Sequence, residues 1–449
     1  MSSTEPTARA TRGAISVRGA TFLGIGSMVG AGISALLGEA GAVAGAAVWL
    51  SFLLAGIVAG LLGYTAVKLG VRFPSSGGLI EYLVAGFGNG RLVGIAAWLG
   101  YMSAIVIVGA MVAVSFGSYA TSLLVGDSAG PAWDNVFTSA IVLGALGLNL
   151  IGSRVVDRAQ SAIVITELAV FVVFIAVTFS DIDLSRLAFS GYPALSSIIA
   201  SVALTFFAFL GFSVITFAVG DLADPARGLP IAMYSALAVT GGLYVLVSIG
   251  VFGTLPVADV IRFGPTAIAE AARPALGDAG FTMMALAAVL ATGASTNATL
   301  YASGGLTRML SDVGRFPPVF GRDSRLGQHG GQITTAALIF VVANLVDLSA
   351  IASVGSAIAL ALFVLVAVAG YRRRADTGAN VVIALAAIVV SIVVLGFFVV
   401  DTLRNDPKTF VAIVALTALA VALERTWTGA GAGPPVAGAE PAQPVTPTG

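Results

Sequence analysis

The chain is organised around a glycine-rich segment near its beginning, Thr21-Phe-Leu-Gly-Ile-Gly-Ser-Met-Val-Gly-Ala-Gly-Ile-Ser34. The segment is apolar enough for a membrane helix, yet it carries four glycines within nine positions. Each glycine costs a helix interior about 1 kcal/mol relative to alanine, so the cluster predicts a break in the helix. In hydrocarbon an irregular backbone is tolerated only where it is buried in protein or lines a cavity, which favours a ligand site near the bilayer midplane. The alternative is that the glycines only allow close packing of helices.

Composition indicates an integral membrane protein. Of the 449 residues, 58% are hydrophobic and only 10% are charged, whereas ordinary soluble domains carry about 25% charged residues. The formal net charge is zero, so no nucleic-acid partner is predicted. The chain has no cysteine and a single histidine, His329, which leaves little material for a metal centre or for nucleophilic catalysis. We therefore predict no enzyme activity and no cofactor, and the composition identifies no certain metal site.

Twelve segments meet the requirement of about 20 mostly apolar residues for a spanning helix. The predicted spans cover residues 20–38, 43–67, 92–124, 136–152, 159–180, 195–220, 229–254, 278–308, 332–348, 350–370, 379–401 and 408–424. The predicted fold class is therefore an all-α, multi-pass membrane protein whose partner is the lipid bilayer.

The distribution of Lys and Arg orients the chain, because cytoplasmic connections carry an excess of these residues. With a cytoplasmic N-terminus, 17 of the 22 basic residues fall in cytoplasmic segments and the remaining five fall outside. A single missed helix would reverse every later connection, so this asymmetry also supports the number of spans. We predict a protein of the cytoplasmic membrane with both termini in the cytoplasm.

The sixth predicted span repeats the feature of the first, since it is interrupted at Leu210-Gly-Phe-Ser213. Each interrupted span opens a block of five helices, and an odd number of helices places the two blocks in opposite orientations, as in an inverted repeat. Paired breaks at matching positions indicate a transporter site. The predicted organisation is a cytoplasmic N-terminal tail at 1–18, a first repeat at 19–180, a second repeat at 195–370, helices 11 and 12 at 379–424, and a disordered cytoplasmic tail at 428–449.

Broken helices offer two complementary binding groups. The N-terminus of a half-helix presents free N–H groups and a partial positive charge, which suit a carboxylate. The carbonyls at the end of a half-helix suit an ammonium group or a metal cation. A small amino acid or a related amine is therefore the predicted substrate class. The chain contains no GxxxxGK[ST] loop, so ATP-driven transport by this chain alone is not supported.

Several motifs resemble those of the amino acid–polyamine–organocation (APC) transporters, in the same order along residues 15 to 425. They are Gly24-Ile-Gly-Ser-Met-Val-Gly-Ala-Gly-Ile33, Arg72-Phe-Pro-Ser-Ser-Gly-Gly-Leu-Ile-Glu-Tyr82, Phe206-Phe-Ala-Phe-Leu-Gly-Phe212, Asp224-Pro-Ala-Arg-Gly-Leu-Pro230 and Ser295-Thr-Asn-Ala-Thr-Leu-Tyr301. The resemblance implies a leucine-transporter-type fold, in which five plus five inverted helices precede two more and helices 1 and 6 are broken. It also implies secondary active transport by alternating access, as a symporter or an antiporter.

The resemblance implies roles for individual residues at the two breaks. The positions whose amides hold the substrate carboxylate match Gly30, Ala31 and Gly32. The positions whose carbonyls receive the substrate amine match Met28, Phe207 and Leu210. The aromatic walls or gates of the site match Phe206, Phe207 and Phe212, for which a lipid-facing position or core packing is the alternative.

Glu167 departs from the resemblance, because many APC transporters carry at this position a lysine that is thought to replace a sodium ion. We predict Glu167 to be the only acidic residue inside a span, roughly 12 Å from its cytoplasmic end. A buried carboxylate is costly unless it is protonated or meets a cation. Glu167 is therefore a candidate proton acceptor, or a partner to Na⁺; the alternative is that it only shapes packing. The other predicted Na⁺ ligands are Ser295, Thr296 and the carbonyls of Gly26 and Val29.

The leading hypothesis is a secondary active transporter of a small amino acid or amine, coupled to H⁺ or Na⁺ or working by exchange. A non-transporting amino-acid sensor with the same fold is the alternative, because binding and transport require the same site.

Overall fold

The computed structural model describes residues 15–29, 32–74, 78–126, 130–151, 156–312, 314–320 and 329–431. These residues are almost entirely helical, and their only β-type pairing is a single bridge. The helices of the first half are α1 (Val17–Val29), α2 (Ile33–Ala44), α3 (Val48–Arg72), α4 (Leu79–Phe87), α5 (Arg91–Tyr101), α6 (Val108–Leu124), α7 (Pro131–Ile151) and α8 (Val156–Thr178). Those of the second half are α9 (Leu195–Phe207), α10 (Val214–Phe217), α11 (Pro225–Thr254), α12 (Val257–Phe263), α13 (Ala267–Glu270), α14 (Arg273–Asp312), α15 (Gly330–Leu345), α16 (Leu348–Arg372), α17 (Arg374–Thr377), α18 (Val381–Asn405) and α19 (Pro407–Gly431).

Membrane-crossing helices dominate the described residues. Eight continuous helical stretches are long and apolar enough to cross a membrane, and the bent pair α9–α10 makes a ninth. Residues 17–29, 162–178 and 330–345 form shorter apolar helices. Every predicted span coincides with helix in the described residues, which confirms the all-helical membrane fold. The number of crossings stays a prediction.

The first predicted span is interrupted, as the glycine cluster indicates. Helix α1 ends at Val29 and α2 begins at Ile33. Gly32 precedes α2 with φ −89° and ψ −78°, and no side chain caps the first turn of this helix. Gly30 and Ala31 lie outside the described residues. The helix continues to Ala44, six residues beyond the predicted end of the span.

The sixth predicted span is interrupted as well. Helix α9 ends at Phe207, a 3-10 turn covers Leu210–Ser213, and α10 continues to Phe217. The two helical parts are bent by 45° relative to each other. The broken first and sixth spans of the predicted fold are therefore both present.

The helices pack into two groups that α8 and α16 join. One group contains α1, α3, α9 and α11, and the other contains α6, α7, α14 and α15. Helix α8 contacts α1 and α11 on one side and α14 on the other. Helix α18 packs against α9 and α16, whereas α19 packs against α5, α16 and α18. The core therefore runs through both groups, with both breaks inside the first.

The connections between the helices show where several helices begin and end. The residues before α1 pair with the connection after α10, through Ile15 N–H and the Asp221 carbonyl at 3.2 Å. Helix α14 is kinked at Gly277 (φ 61°), so its regular part begins where the eighth predicted span begins. Helix α19 reaches Gly431, into the predicted disordered tail. Residues 1–14 and 432–449, which form most of the predicted tails, lie outside the described residues.

Candidate substrate and coupling site

The two helix breaks touch each other through the backbone at Gly211. A Cβ atom at Gly211 would lie 2.5 Å from the amide nitrogen of Met28 and still closer to the carbonyl carbon of Ser27. Backbone atoms cannot move aside as a flexible side chain can, so only glycine allows this approach. The 3-10 turn of the second half therefore rests directly on the last turn of α1.

A tyrosine of α11 bridges the ends of both broken helices. The Tyr244 hydroxyl donates a hydrogen bond to the Met28 carbonyl at 2.6 Å and lies 3.2 Å from the Ala208 carbonyl. Gly32 faces the same hydroxyl and lies close to the same two carbonyls. These carbonyls lie at helix ends, where intrahelical partners are missing. Sequence reasoning missed Tyr244, because a tyrosine in an apolar span is a weak signal that Tyr234 shares.

The three carbonyls assigned to the substrate amine differ in their hydrogen bonds. The Met28 carbonyl accepts from Tyr244, and the Leu210 carbonyl accepts from the Ser213 hydroxyl at 2.8 Å. The Phe207 carbonyl accepts no hydrogen bond from the described residues. Since a carbonyl oxygen has two lone pairs, all three retain some acceptor capacity, and Phe207 retains the most.

The predicted aromatic residues share one neighbouring helix. Phe206 and Phe212 are fully buried and flank Phe363 of α16, with ring centroids 5.7 Å and 4.9 Å from it. The ring of Phe207 contacts the same helix at Gly355. Phe209, which was not predicted, packs on the ring of Tyr244 at 5.1 Å. All three predicted aromatic residues therefore contact α16, whereas Phe209 contacts the tyrosine that bridges the two breaks.

Glu167 is buried on the inner face of α8, with 4% of its surface exposed. One turn earlier on the same face, Val164 packs against Gly26, where a Cβ atom would lie 2.5 Å from the valine Cγ2. Glu167 lines a cavity of about 10 Å³. The other lining residues are Ser34, Tyr119, Val170, Phe171, Ile268, Met284, Ala287 and Ala288.

The two hydroxyl residues predicted to share a cation with Glu167 lie further along α14. Thr296 is fully buried and donates to the Thr292 carbonyl at 2.9 Å, while Ser295 is partly buried. Thr296 follows the cavity-lining Ala288 by eight residues, which corresponds to roughly 12 Å along a helix. The structure therefore groups Glu167 with Ser34 and Tyr119 in one cavity, whereas Ser295 and Thr296 lie about two helical turns beyond the α14 residues that line it.

The prediction that Glu167 is the only acidic residue inside a span is wrong, because α19 carries the fully buried Glu424. The carboxylate of Glu424 pairs with the Arg315 guanidinium at 2.9 Å, and Arg315 also donates to the Asn89 carbonyl at 3.2 Å. Since α19 extends beyond the predicted end of its span, Glu424 lies within the helix rather than at its end. This ion pair joins the connection after α14 to α19.

No group of three or more His, Asp or Glu residues that could hold a metal ion occurs in the described residues.

Comparison with known proteins places the chain among transporters. A sequence profile of the amino acid permease family matches residues 15–420. The inner membrane transport protein YbaT of Escherichia coli (strain K12) is 28% identical over 403 residues, which cover 89% of this chain and 94% of YbaT. The methylthioribose transporter of Bacillus subtilis (strain 168) is 28% identical over 323 residues, covering 67% of this chain and 68% of that protein.

A solved structure shows the same architecture. The crystal structure of the Eremococcus coleocola manganese transporter, bound to an aromatic bis-isothiourea substituted compound, matches with a TM-score of 0.61. The match covers 95% of this chain and 100% of that chain at 13% identity, so it shows the fold alone. It supports the leucine-transporter-type arrangement implied by the two broken helices. With the profile match over most of its length, the chain belongs to the amino acid permease family of the APC superfamily, a family of multi-pass membrane transporters.

Proposed function

We propose that this chain is a secondary active transporter that moves a small amino acid or a related amine across the cytoplasmic membrane by alternating access. The observation that carries the proposal is the contact between the two broken helices, where Gly211 lies against the Ser27–Met28 backbone and Tyr244 bridges both helix ends. Such paired breaks place free backbone N–H and C=O groups at one point inside the protein.

The substrate carboxylate binds at the start of α2 in this proposal. Gly30, Ala31 and Gly32 precede the uncapped first turn of this helix, whose free N–H groups and dipole favour an anion. The substrate amine binds at the carbonyl of Phe207, which accepts no hydrogen bond from the described residues, together with the carbonyls of Met28 and Leu210. The aromatic side chains around the breaks, Phe206, Phe207 and Phe212, restrict which substrate side chains enter.

The driving force in this proposal is a cation gradient, of either H⁺ or Na⁺, unless the protein works by exchange. Glu167 is the coupling carboxyl, and Ser295, Thr296 and the carbonyls of Gly26 and Val29 are the further candidate ligands for Na⁺. Both termini lie in the cytoplasm, so α2 follows the first break toward the outside.

Uptake by the purified protein in liposomes tests this proposal. The liposomes are supplied with a panel of radiolabelled amino acids and polyamines. Methylthioribose is included as an alternative candidate substrate, because one relative is named as a methylthioribose transporter. We expect at least one amino acid or amine to accumulate in proteoliposomes and not in empty liposomes. Stabilisation by a substrate in a thermal-shift assay without any accumulation would favour the sensor alternative. Accumulation of methylthioribose alone would contradict the proposed substrate class.

A further inference from the structure

The helices that line the cavity beside Glu167 indicate on which side of the helix breaks the cavity lies. Its lining comes from α2, α6, α8, α13 and α14. Helix α13 lies in the connection that follows α11, a helix of 30 residues that begins just after Leu222, the partner of Ile15. Helix α11 crosses the membrane once between these two points. The cavity at α13 and the paired N-terminal segment therefore lie toward opposite sides of the membrane.

The polar groups of this cavity are few. Besides the Glu167 carboxyl, only the Ser34 and Tyr119 side chains bring hydroxyl oxygens, and the remaining lining residues are apolar. Hard cations are held by several oxygen ligands at once. A cavity of about 10 Å³ has room for roughly one water molecule, so the lining groups would have to supply nearly all the ligands of a cation bound there. The lining therefore suits a proton and a single hydrogen-bonded water better than Na⁺.

The charged and titratable groups that the structure describes around the cavity include no counter-ion for the carboxyl. In the part of the chain that the structure describes, no Lys or Arg forms an ion pair with Glu167. Tyr119 of α6 and Tyr244 of α11 lie within electrostatic range of it. On α13, Glu270 pairs with Arg273 at 2.7 Å. The cavity-lining residues of α14 and α8 other than Glu167 carry no charge.

The position of Ser34 links the cavity to the substrate site. Ser34 lies in the first turn of α2, two residues after Gly32, so the cavity borders the helix end proposed to hold the substrate carboxylate. An ionised Glu167 and the substrate carboxylate are both anions and compete for the positive end of this helix. When Glu167 is protonated, only the substrate carboxylate interacts with the positive end of α2. Binding of the proton therefore raises the affinity for the substrate, and binding of the substrate raises the affinity for the proton by the same factor.

From these observations, and resting on the proposed transport function, we infer that Glu167, with Ser34 and Tyr119, forms a proton-binding site on the outward side of the helix break. The site makes the protein a proton–substrate symporter that does not use Na⁺. Protonation of Glu167 admits the substrate carboxylate to α2, and release of the proton expels it.

Substrate affinity as a function of pH tests the inference. We expect the Kd of a substrate from the uptake panel to rise by up to about tenfold per pH unit on the alkaline side of the Glu167 titration, since one proton binds with each substrate. Glu167→Gln mimics the protonated acid, so its Kd should be low and independent of pH. In liposomes this variant should exchange substrate but not concentrate it under a pH gradient. Glu39→Gln, on a half-buried carboxyl of α2 outside the cavity, is the matched control and should behave as the wild type.

Several outcomes would contradict the proton-binding site without contradicting the transport proposal. A wild-type protein that accumulates substrate under a Na⁺ gradient and ignores a pH gradient overturns the proton site. So does a Glu167→Gln variant that keeps the pH dependence. Infrared difference spectroscopy of the substrate-free protein gives a readout independent of transport. We expect a protonated-carboxyl band that titrates with pH in the wild type and is missing in Glu167→Gln, and its presence in both overturns the assignment even if no substrate is found.

Discussion

The hydroxyl of Tyr244 donates to the carbonyl of Met28 at 2.6 Å, across 216 positions of the sequence. Met28 belongs to the last turn of α1, and Tyr244 lies in the middle of α11, so the bond joins the two halves of the chain. Because the same hydroxyl lies 3.2 Å from the Ala208 carbonyl, it fixes the ends of both broken helices at one point. The geometry of the candidate site therefore depends on a side chain outside both breaks.

Tyr244→Phe should lower the free energy of unfolding by about 1–3 kcal/mol, because the buried Met28 carbonyl loses its donor. Tyr234→Phe is the matched control, since Tyr234 lies on the same helix and is 40% exposed. Thermal unfolding in detergent measures both variants. Equal effects of the two substitutions would contradict a special role for the Tyr244 hydroxyl.

Gly211→Ala should destabilise the protein and reduce uptake, since its Cβ atom would be forced against the Ser27–Met28 backbone. Overpacking of this kind typically costs about 1–3 kcal/mol. Gly242→Ala serves as control, because a Cβ atom there meets no other atom within 4 Å and alanine favours the helix. A Gly211→Ala protein with wild-type stability and uptake would show that the two breaks do not need this contact.

Glu424→Ala should cost about 3–5 kcal/mol, because it leaves the Arg315 guanidinium without its carboxylate in a largely buried environment. The side chains of Glu424 and Arg315 are 0% and 14% exposed. Asp376→Ala is the comparison, since it breaks an exposed pair with Arg373 and should cost at most about 1 kcal/mol. Chemical denaturation followed by tryptophan fluorescence compares the two variants. A smaller effect at Glu424 than at Asp376 would contradict a stabilising role of the buried pair.

The predicted orientation is testable with single cysteines, because the natural chain contains none. Ser190, in the connection between α8 and α9, and Asp376, between α16 and α18, are both exposed. With cytoplasmic termini, Ser190→Cys should react with a membrane-impermeant maleimide in intact cells, and Asp376→Cys should react only after permeabilisation. The reverse pattern would place the termini outside.

Much of the architecture follows from local sequence patterns. Apolar segments of helix length determine the spans, because a backbone in hydrocarbon must satisfy its hydrogen bonds internally. The glycines between Gly24 and Gly32 and the single Gly211 indicate the two breaks, because glycine weakens a helix wherever the chain places it. The charge asymmetry predicts the orientation. None of these patterns requires knowledge of which helices touch.

The partners at the site were decided by packing instead. Glu167 is buried, as its sequence context predicts, but only the fold places it in one cavity with Ser34 and Tyr119. Tyr244 and Glu424 escaped prediction because their partners, Met28 and Arg315, are more than 100 residues away in the chain. By itself the sequence determined that the two helices break, since a break depends on neighbouring residues. Which side chain meets the ends of the broken helices was decided by the tertiary structure alone, because contacts between distant helices leave no local pattern.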